Sequence, residues 1–219
     1  MTAFDSENLA QIKASAPAWR AEQMEAAYKV FAGLDEPTGA EEDWRYVEFE
    51  LSFDELTPVD RPGEPLDPGP FVASLPDRSG HVLIVDGSIV EIGSDIASAK
   101  RFSELETDPG SLGLVPVDHN KLAAAHAAFA SDGVLIELDR GVIMETPLVV
   151  DIQGTTAGSA SFPHLMVRVG ENAEARIVVV YRSVEGASLL MVPEVDLEVG
   201  DGGRLRFLSV QGLEPLHSI

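Results

Sequence analysis

The feature that most constrains this chain is an internal repeat of 30 residues between Leu165 and Val210. The segments before Gly170 and Gly200 both alternate apolar with polar residues, and both continue through the glycine into a second alternating segment. Alternation with a period of two residues is typical of a strand with one buried face. Repeats of this length are typical of architectures in which one unit stacks on the next. The repeat therefore predicts strands that recur at the same place in successive coils.

The offset of 30 residues also aligns residues of matching type. Apolar residues meet apolar residues, and charges meet opposite charges, in these pairs: Val167 with Leu197, Val169 with Val199, Ala175 with Leu205, Ile177 with Phe207, Arg168 with Glu198, and Glu174 with Arg204. One like-charge pair, Arg176 with Arg206, opposes the alignment. We interpret the pattern as a mainly β fold, a right-handed parallel β-helix that is incomplete, C-terminally truncated and preceded by an α-helical N-terminal region. Two hairpins of a β-sandwich that match by chance are the alternative.

An earlier and less regular copy of the repeat runs from Val134 through Gly141 to Ile152. Gly141 precedes Gly170 by 29 residues, an offset that would align Arg140 with the inward-facing Val169. The chain ends directly after another predicted strand. Because the ends of stacked repeats need capping elements, we expect the chain to be a fragment of a longer protein.

Three segments follow from the pattern along the chain. Residues 1–56 are predicted to be an N-terminal helical region, with a helix over about residues 6–32 whose apolar face includes Met24 and Phe31. Trp44 and Tyr46 are expected to dock this region onto the body. Residues 57–118 are predicted to be a proline-rich connector without regular ladders up to Pro76, followed by a β-hairpin that turns at Asp86-Gly87.

Residues 119–219 are predicted to be the β-helix core. It opens with a helix over about residues 119–130, which Asp118 is expected to cap. Leu122, Ala125, His126 and Phe129 have the spacing of one apolar face, so we expect His126 to be a buried core histidine.

Composition narrows the functional classes. A formal net charge of −22 opposes binding to nucleic acid or to anionic lipid. The absence of cysteine excludes disulfides, thiolate metal sites and cysteine nucleophiles. The sequence carries no signal segment and no apolar run of membrane-spanning length, so we predict a cytoplasmic location without a membrane partner.

The residues that could carry chemistry are scattered. No two of the five histidines have a metal-ligand spacing such as His-x-x-x-His. Asp139, Asp151 and Asp196 could form the acidic cluster of a β-helix carbohydrate-active enzyme, which is the main alternative function. A cupin-like domain, the third possibility, would need histidines on adjacent strands. The exposed positions alternate in sign, which suits stacking better than catalysis, so the residues alone identify no reaction and no catalytic, cofactor-binding or metal-ligating residue.

Several short motifs, in order, resemble the SufB/SufD family of the SUF iron–sulfur cluster assembly system. They span almost the whole chain: Glu41-Glu-Asp-Trp44-Arg-Tyr46, the Asp86-Gly87 hairpin, residues 127–136, Arg140-Gly141-Val142, Gly170-Glu-Asn-Ala173, and Glu198-Val-Gly200-Asp-Gly202-Gly203. The short region before Trp44 is more similar to the SufD branch than to the SufB branch.

The resemblance implies a non-catalytic scaffold subunit that pairs with a SufB-like paralogue and binds a SufC-like ABC ATPase. It implies that this fragment binds no cofactor of its own and that the full complex handles the iron–sulfur cluster transiently. The functional cysteine and histidine of the family lie in a C-terminal part that we expect to be missing here. No catalytic or metal residue is therefore carried over, and His217 is not equated with one of them.

Overall fold

The computed structural model describes residues 3–38, 40–44, 51–75, 77–94, 97–110 and 114–212. Within these residues the α-helices are α1 (Ser6–Lys13), α2 (Ala18–Gly33), α3 (Pro70–Ala73) and α4 (Lys121–Phe129). The strands are β1 (Thr57–Pro58), β2 (Gly80–Val85), β3 (Ser88–Ser94), β4 (Ser98–Arg101), β5 (Val134–Leu138), β6 (Leu148–Gly154), β7 (Ser159–Ser161), β8 (His164–Val169), β9 (Glu174–Ser183), β10 (Leu190–Met191), β11 (Glu194–Val199) and β12 (Arg204–Gly212).

The fold is mixed α and β, and its three sheets are mostly parallel. Sheet I has the strand order β11-β8-β5-β4, sheet II the order β12-β9-β6-β2-β3, and sheet III the order β1-β7-β10. The antiparallel pairs are β2 with β3 and β4 with β5, and every other pair of named strands is parallel. From β5 onward the chain therefore contributes successive strands to sheets I, II and III in that order. Each new strand pairs in parallel with the strand that the preceding coil contributed to the same sheet.

The 30-residue register predicted from the sequence is confirmed. Val167 is the partner of Leu197 in the β8–β11 ladder, and Ile177 is the partner of Phe207 in the β9–β12 ladder. The other aligned pairs match as well, including the like-charge pair of Arg176 and Arg206. The guanidinium of Arg176 donates a hydrogen bond to the carbonyl oxygen of Glu145, so its positive charge has a partner beside the like-charged Arg206.

The register predicted for the earlier copy is wrong. Leu138, not Arg140, is the partner of Val169, so β5 pairs with β8 at an offset of 31 residues. The next ladder pairs Leu148 with Ile177, an offset of 29 residues. The difference arises between Ile143, which bridges to Glu174, and Leu148, where the chain takes two more residues than the corresponding part of the next coil. Pro147 lies in this stretch and has no N–H to donate to a ladder.

Glycines recur at the turns because successive coils approach closely there. A Cβ on Gly170 would lie 2.7 Å from the backbone nitrogen of Arg140 and 2.7 Å from the carbonyl oxygen of Leu138. A Cβ on Gly200 would lie 3.0 Å from the backbone nitrogen of Glu171. Only a residue without a side chain fits between two stacked turns at this distance.

Apolar residues of sheets I and II form one continuous core. Alternate residues of β5 and β8 point to it from sheet I, and alternate residues of β6 and β9 point to it from sheet II. Val167, Ile177 and Ile152 are each 1% exposed. Burial of apolar surface stabilises a fold by about 25 cal/mol per Å², so this core between sheets I and II is the main stabilising element of the strand region. The remaining alternate residues form the outer faces of the sheets.

A helical layer covers part of the outer face of sheet I. Helices α2 and α4 pack against each other, and a second apolar cluster forms between the helices and the start of the strand region. Its centre is Phe4, which contacts Phe31, Phe53, Phe129 and Phe162 with ring centroids 4.8–6.3 Å apart. The predicted apolar face of the N-terminal helix is confirmed, since Met24, Ala27 and Phe31 are buried.

Two details of the predicted helices need correction. The predicted helix over residues 6–32 is two helices, because Pro17 is extended and begins α2 as its N-cap. The predicted cap of α4 is wrong, since the side chain of Asn120, not of Asp118, accepts a hydrogen bond from the backbone N–H of Ala123 at 2.9 Å. His126 is buried on α4 as predicted.

The connector is more ordered than the prolines suggested. Strand β1 pairs with β7 through the N–H groups of Thr57 and Val59, which flank Pro58, so the missing N–H of the proline breaks no ladder bond. Helix α3 begins with Pro70 at its first position, where an N–H has no helical partner. Tyr46, predicted as an anchor, lies outside the described residues.

The predicted hairpin at Asp86-Gly87 is confirmed. Strands β2 and β3 pair antiparallel, and both turn residues have positive φ, 50° for Asp86 and 83° for Gly87. The Asp86 carboxylate accepts hydrogen bonds from the backbone and hydroxyl groups of Thr155 at 2.7 Å, which ties the turn to the end of β6. The hairpin is thereby joined to the stacked strands.

Candidate functional site

A cluster of titratable side chains lies where the helical layer meets the outer face of sheet I. His164 is the first residue of β8, and Glu194, the first residue of β11, is its register partner. Both side chains point to the outer face because the next residues, Leu165 and Val195, pack against the core. Helix α4 places His126 over this pair, and His126 and His164 are each 2% exposed.

The donor atoms of the three residues converge. The Nδ1 or Nε2 atoms of His126 and His164 and a carboxylate oxygen of Glu194 all lie within 4.8 Å of one another. The two imidazole rings have centroids 5.0 Å apart. Oε2 of Glu194 lies 2.8 Å from Nδ1 of His126, but outside the angular range of a hydrogen bond from that nitrogen. Two imidazoles and a carboxylate at these separations are a set of residues that can hold a transition-metal ion.

The far side of each imidazole contacts an oxygen. Nε2 of His164 lies 3.1 Å from Oδ2 of Asp196, a carboxylate that is 3% exposed. Nε2 of His126 lies 3.4 Å from the carbonyl oxygen of Pro163. A carbonyl oxygen and an ionised carboxylate only accept hydrogen bonds, so each Nε2 is the protonated nitrogen and each Nδ1 keeps its lone pair. Neither Nδ1 has a hydrogen-bond partner, and Nδ1 of His126 lies 2.8 Å from Oε2 of Glu194.

Burial and nearby charges set the protonation states. Burial lowers the pKa of the His164 imidazole, and the hydrogen bond to Asp196 only partly opposes this effect. Burial alone would raise the pKa of the Glu194 carboxyl, but His126 and the positive charge of Arg20 outweigh it, so the pKa lies below its usual range. Glu194 is thus an anion at neutral pH, and His164 is neutral.

Arg20 reaches the cluster from α2. Its guanidinium donates to the carbonyl oxygen of Ala130 at 3.4 Å and to Oε1 of Gln23 at 3.4 Å. Burial lowers the pKa of Arg20, although the charges of Glu194, Asp108 and Asp132 oppose this effect. The positive charge of Arg20 therefore acts on the half-buried Glu194 carboxylate as well as on Asp108 and Asp132.

A cavity of about 430 Å³ opens onto the cluster. His126, His164, Glu194 and Arg20 line its inner end, and Trp44 and Val117 are among the residues of its walls. Trp44, predicted to be an anchor, therefore borders the cavity. Most of the cavity surface is apolar, as is usual for a small-molecule site with a few polar groups at one end.

The acidic cluster considered for a carbohydrate-active enzyme is not brought together. Asp151 is on β6 of sheet II, where it binds Arg182, whereas Asp196 is on β11 of sheet I. Asp139 is exposed in the turn after β5. Asp196 is level with Leu135, and Asp139 follows four residues later, so the two are separated by roughly 13 Å along the strands. Paired glycosidase carboxylates lie about 5–9.5 Å apart.

Sequence reasoning did not find the cluster, because it searched for histidines at short spacings. The three residues come from three elements, at positions 126, 164 and 194. One signal was present, since the 30-residue offset that aligns Val167 with Leu197 also aligns His164 with Glu194. The repeat gives no indication of His126, because the position of that side chain depends on how α4 packs. His217 lies outside the described residues.

The sequence was compared with models of known protein families and with curated proteins, and neither comparison gave a match. The resemblance to the SufB/SufD family therefore remains an interpretation of sequence motifs. None of the described helices combines the length and the apolar character needed to cross a bilayer.

Proposed function

We propose that this chain is a non-catalytic scaffold subunit of a SUF-type iron–sulfur cluster assembly complex, of the SufD kind, and that its strands form a right-handed parallel β-helix. In this proposal it acts in the cytoplasm and pairs with a SufB-like paralogue. It also recruits a SufC-like ABC ATPase through the C-terminal helical region that the family resemblance implies.

The observation that carries the proposal is the in-register stacking of consecutive coils. Each coil contributes one parallel strand to sheet I and one to sheet II, as β5, β8 and β11 and then β6, β9 and β12. The ladders hold hydrophobic residues over hydrophobic residues, such as Val167 over Leu197. A stack of this kind is rigid and extended, which suits a subunit whose role is to hold partners in fixed positions.

The last described coil has open sheet edges. Among the described strands, β11 and β12 each have a partner on one side only. Leu197, Val199 and Leu208 on these strands are 39–51% exposed. A row of backbone donors and acceptors beside exposed apolar side chains is a surface on which a further strand adds. Further coils, at a strand spacing of about 4.8 Å, would continue both sheets, and the SufB-like partner would pair with an edge of this kind.

Co-purification tests the proposal. The protein is expressed from its complete gene together with the SufB-like and SufC-like proteins of the same genome, and one subunit carries the affinity tag. We expect a complex of all three proteins that survives size-exclusion chromatography. Recovery of the tagged protein alone, under conditions in which each partner is folded, would contradict the proposal.

A further inference from the structure

We propose that His126, His164 and Glu194 bind one divalent transition-metal ion of the Zn²⁺ class, with both histidines coordinating through Nδ1. The inference does not depend on the scaffold function, because it is drawn from side-chain geometry between α4, β8 and β11. It extends the sequence-based prediction, which named no metal ligand.

The first argument comes from the buried polar atoms. Nδ1 of His126, Nδ1 of His164 and Oε1 of Glu194 are buried and have no hydrogen-bond partner. Buried polar atoms almost always have a partner, so three partnerless atoms in one cluster indicate that the cluster binds a further species. A proton on Nδ1 of His126 would not make a well-aligned hydrogen bond to Glu194, and it would also leave Nδ1 of His164 without a partner. A metal ion at the centre satisfies all three atoms.

The second argument comes from the groups behind the ligands. Metal-binding histidines almost always donate their other N–H to a carboxylate or a backbone carbonyl, which holds the ring and fixes its tautomer. His164 has the Asp196 carboxylate in this position, at 3.1 Å, and His126 has the Pro163 carbonyl oxygen, at 3.4 Å. Asp196 is itself buried, and a purely structural histidine needs no second carboxylate on its far side.

The ligand types select the ion. Imidazole nitrogen with one carboxylate oxygen suits zinc, iron, copper or nickel, whereas magnesium and calcium take oxygen ligands. Zinc binds such atoms at about 2.0–2.2 Å, so its ligand atoms lie about 3.4 Å apart in a tetrahedron. The three donor atoms, within 4.8 Å of one another, need only a small inward shift to reach this spacing.

Charge and access fit the same ion. The anionic Glu194 carboxylate brings a negative charge to the cluster, which favours a bound cation. The 430 Å³ cavity reaches the three ligands from one side, so a fourth coordination position faces the cavity. Three protein ligands with one accessible position are the arrangement of zinc sites that accept a water or an exogenous ligand.

Metal titration of the whole protein tests the proposal. After treatment with a chelator, the protein is titrated with Zn²⁺ by calorimetry and with Co²⁺ by visible absorption. We expect one ion per chain. Glu194→Gln and His164→Asn should each weaken Zn²⁺ binding at least 100-fold, and Asp196→Asn about 10–100-fold. His81→Asn is the matched control, since His81 is half-buried on β2 beside Glu91 and should leave the affinity unchanged.

A measurement on the unaltered protein covers the case in which a variant does not fold. Long-range ¹⁵N–¹H spectra of the five histidines report which ring nitrogen binds the ion. We expect Zn²⁺ to shift the Nδ1 resonances of two histidines and leave their Nε2 protonated. No stoichiometric binding, or shifts confined to other histidines, would overturn the proposal, as would variants that fold and keep the original affinity.

Discussion

The ion pair between Asp151 and Arg182 gives the sharpest prediction about stability. Asp151 is on the outer face of β6, and its two carboxylate oxygens accept from Nε of Arg182 at 3.0 Å and from Nη2 at 2.6 Å. Gln153 donates to the same carboxylate at 3.0 Å. Arg182 also donates to the carbonyl oxygen of Asp67, so the pair holds the connector against sheet II. The exposed fractions of the two side chains are 3% for Asp151 and 14% for Arg182.

These fractions set the expected magnitudes. Removing one partner of a buried ion pair costs about 3–5 kcal/mol, because the other charge is left without compensation. Arg182 can recruit water through its exposed fraction, so we expect Asp151→Ala to lie near 3 kcal/mol. Arg182→Met leaves a buried carboxylate that water hardly reaches, so we expect its cost to lie at the upper end of this range, near 5 kcal/mol.

A double-mutant cycle measures these values. The free energy of unfolding is obtained from urea titrations of the original protein, the two single variants and the double variant at pH 7. We expect the double variant to be more stable than the sum of the single effects predicts by about 3 kcal/mol or more. Single effects that add to within about 0.5 kcal/mol would refute the reasoning.

Three further predictions concern other parts of the stack. Gly170→Ala should lower the free energy of unfolding by about 1–3 kcal/mol, because its Cβ meets the backbone of the preceding turn at Leu138 and Arg140. Gly33→Ala, whose Cβ meets nothing within 4 Å, should not lower it, and equal effects of the two substitutions would contradict this. Hydrogen bonds from Thr155 outweigh burial and hold the pKa of Asp86 below its usual value of 3.8. The stabilisation that the ionised Asp86 contributes to the fold is therefore present above pH 3.8, and it is lost as the pH falls through the lower pKa of the folded state. Asp86→Asn should therefore cost about 1–3 kcal/mol at pH 7 and less in acid, and parallel unfolding curves from pH 7 to pH 2 would count against it. Arg168→Met should cost about 1 kcal/mol at low salt and less at 1 M NaCl, and a loss that salt does not change would rule out the ion-pair explanation.

The stacked part of the fold could be predicted because its information is local and repeated. Inward and outward positions alternate with period two, and the offset between Val167 and Leu197 specifies which strands are neighbours. The predicted register of the earlier copy was wrong because the composition of the sequence does not show that two residues are inserted before Leu148. Strand β4 is short, and its place is set by pairing with β5 and by the buried Phe102 that follows it. These are contacts between distant segments.

The candidate site was predictable only in part, for the same reason. The pair of His164 and Glu194 follows from the repeat, since two residues at one outward position in consecutive coils are always neighbours. The contribution of His126 depends on the docking of α4, which the apolar faces of the helices favour without specifying its register. The short-range histidine spacing that was searched for belongs to sites on a single element, and this cluster spans three.

The stacking itself explains why a metal-binding cluster would form at this place. Each outward position recurs in the next coil, so polar residues on the outer faces come in columns. Where a column is open to solvent, as for Arg168 with Glu198 at 2.7 Å, opposite charges need only weak mutual compensation. Where the helical layer covers a column, as for His164 and Glu194, desolvation makes an unmatched charge costly. The covered column must then acquire a proton, a counter-charge or a metal ion.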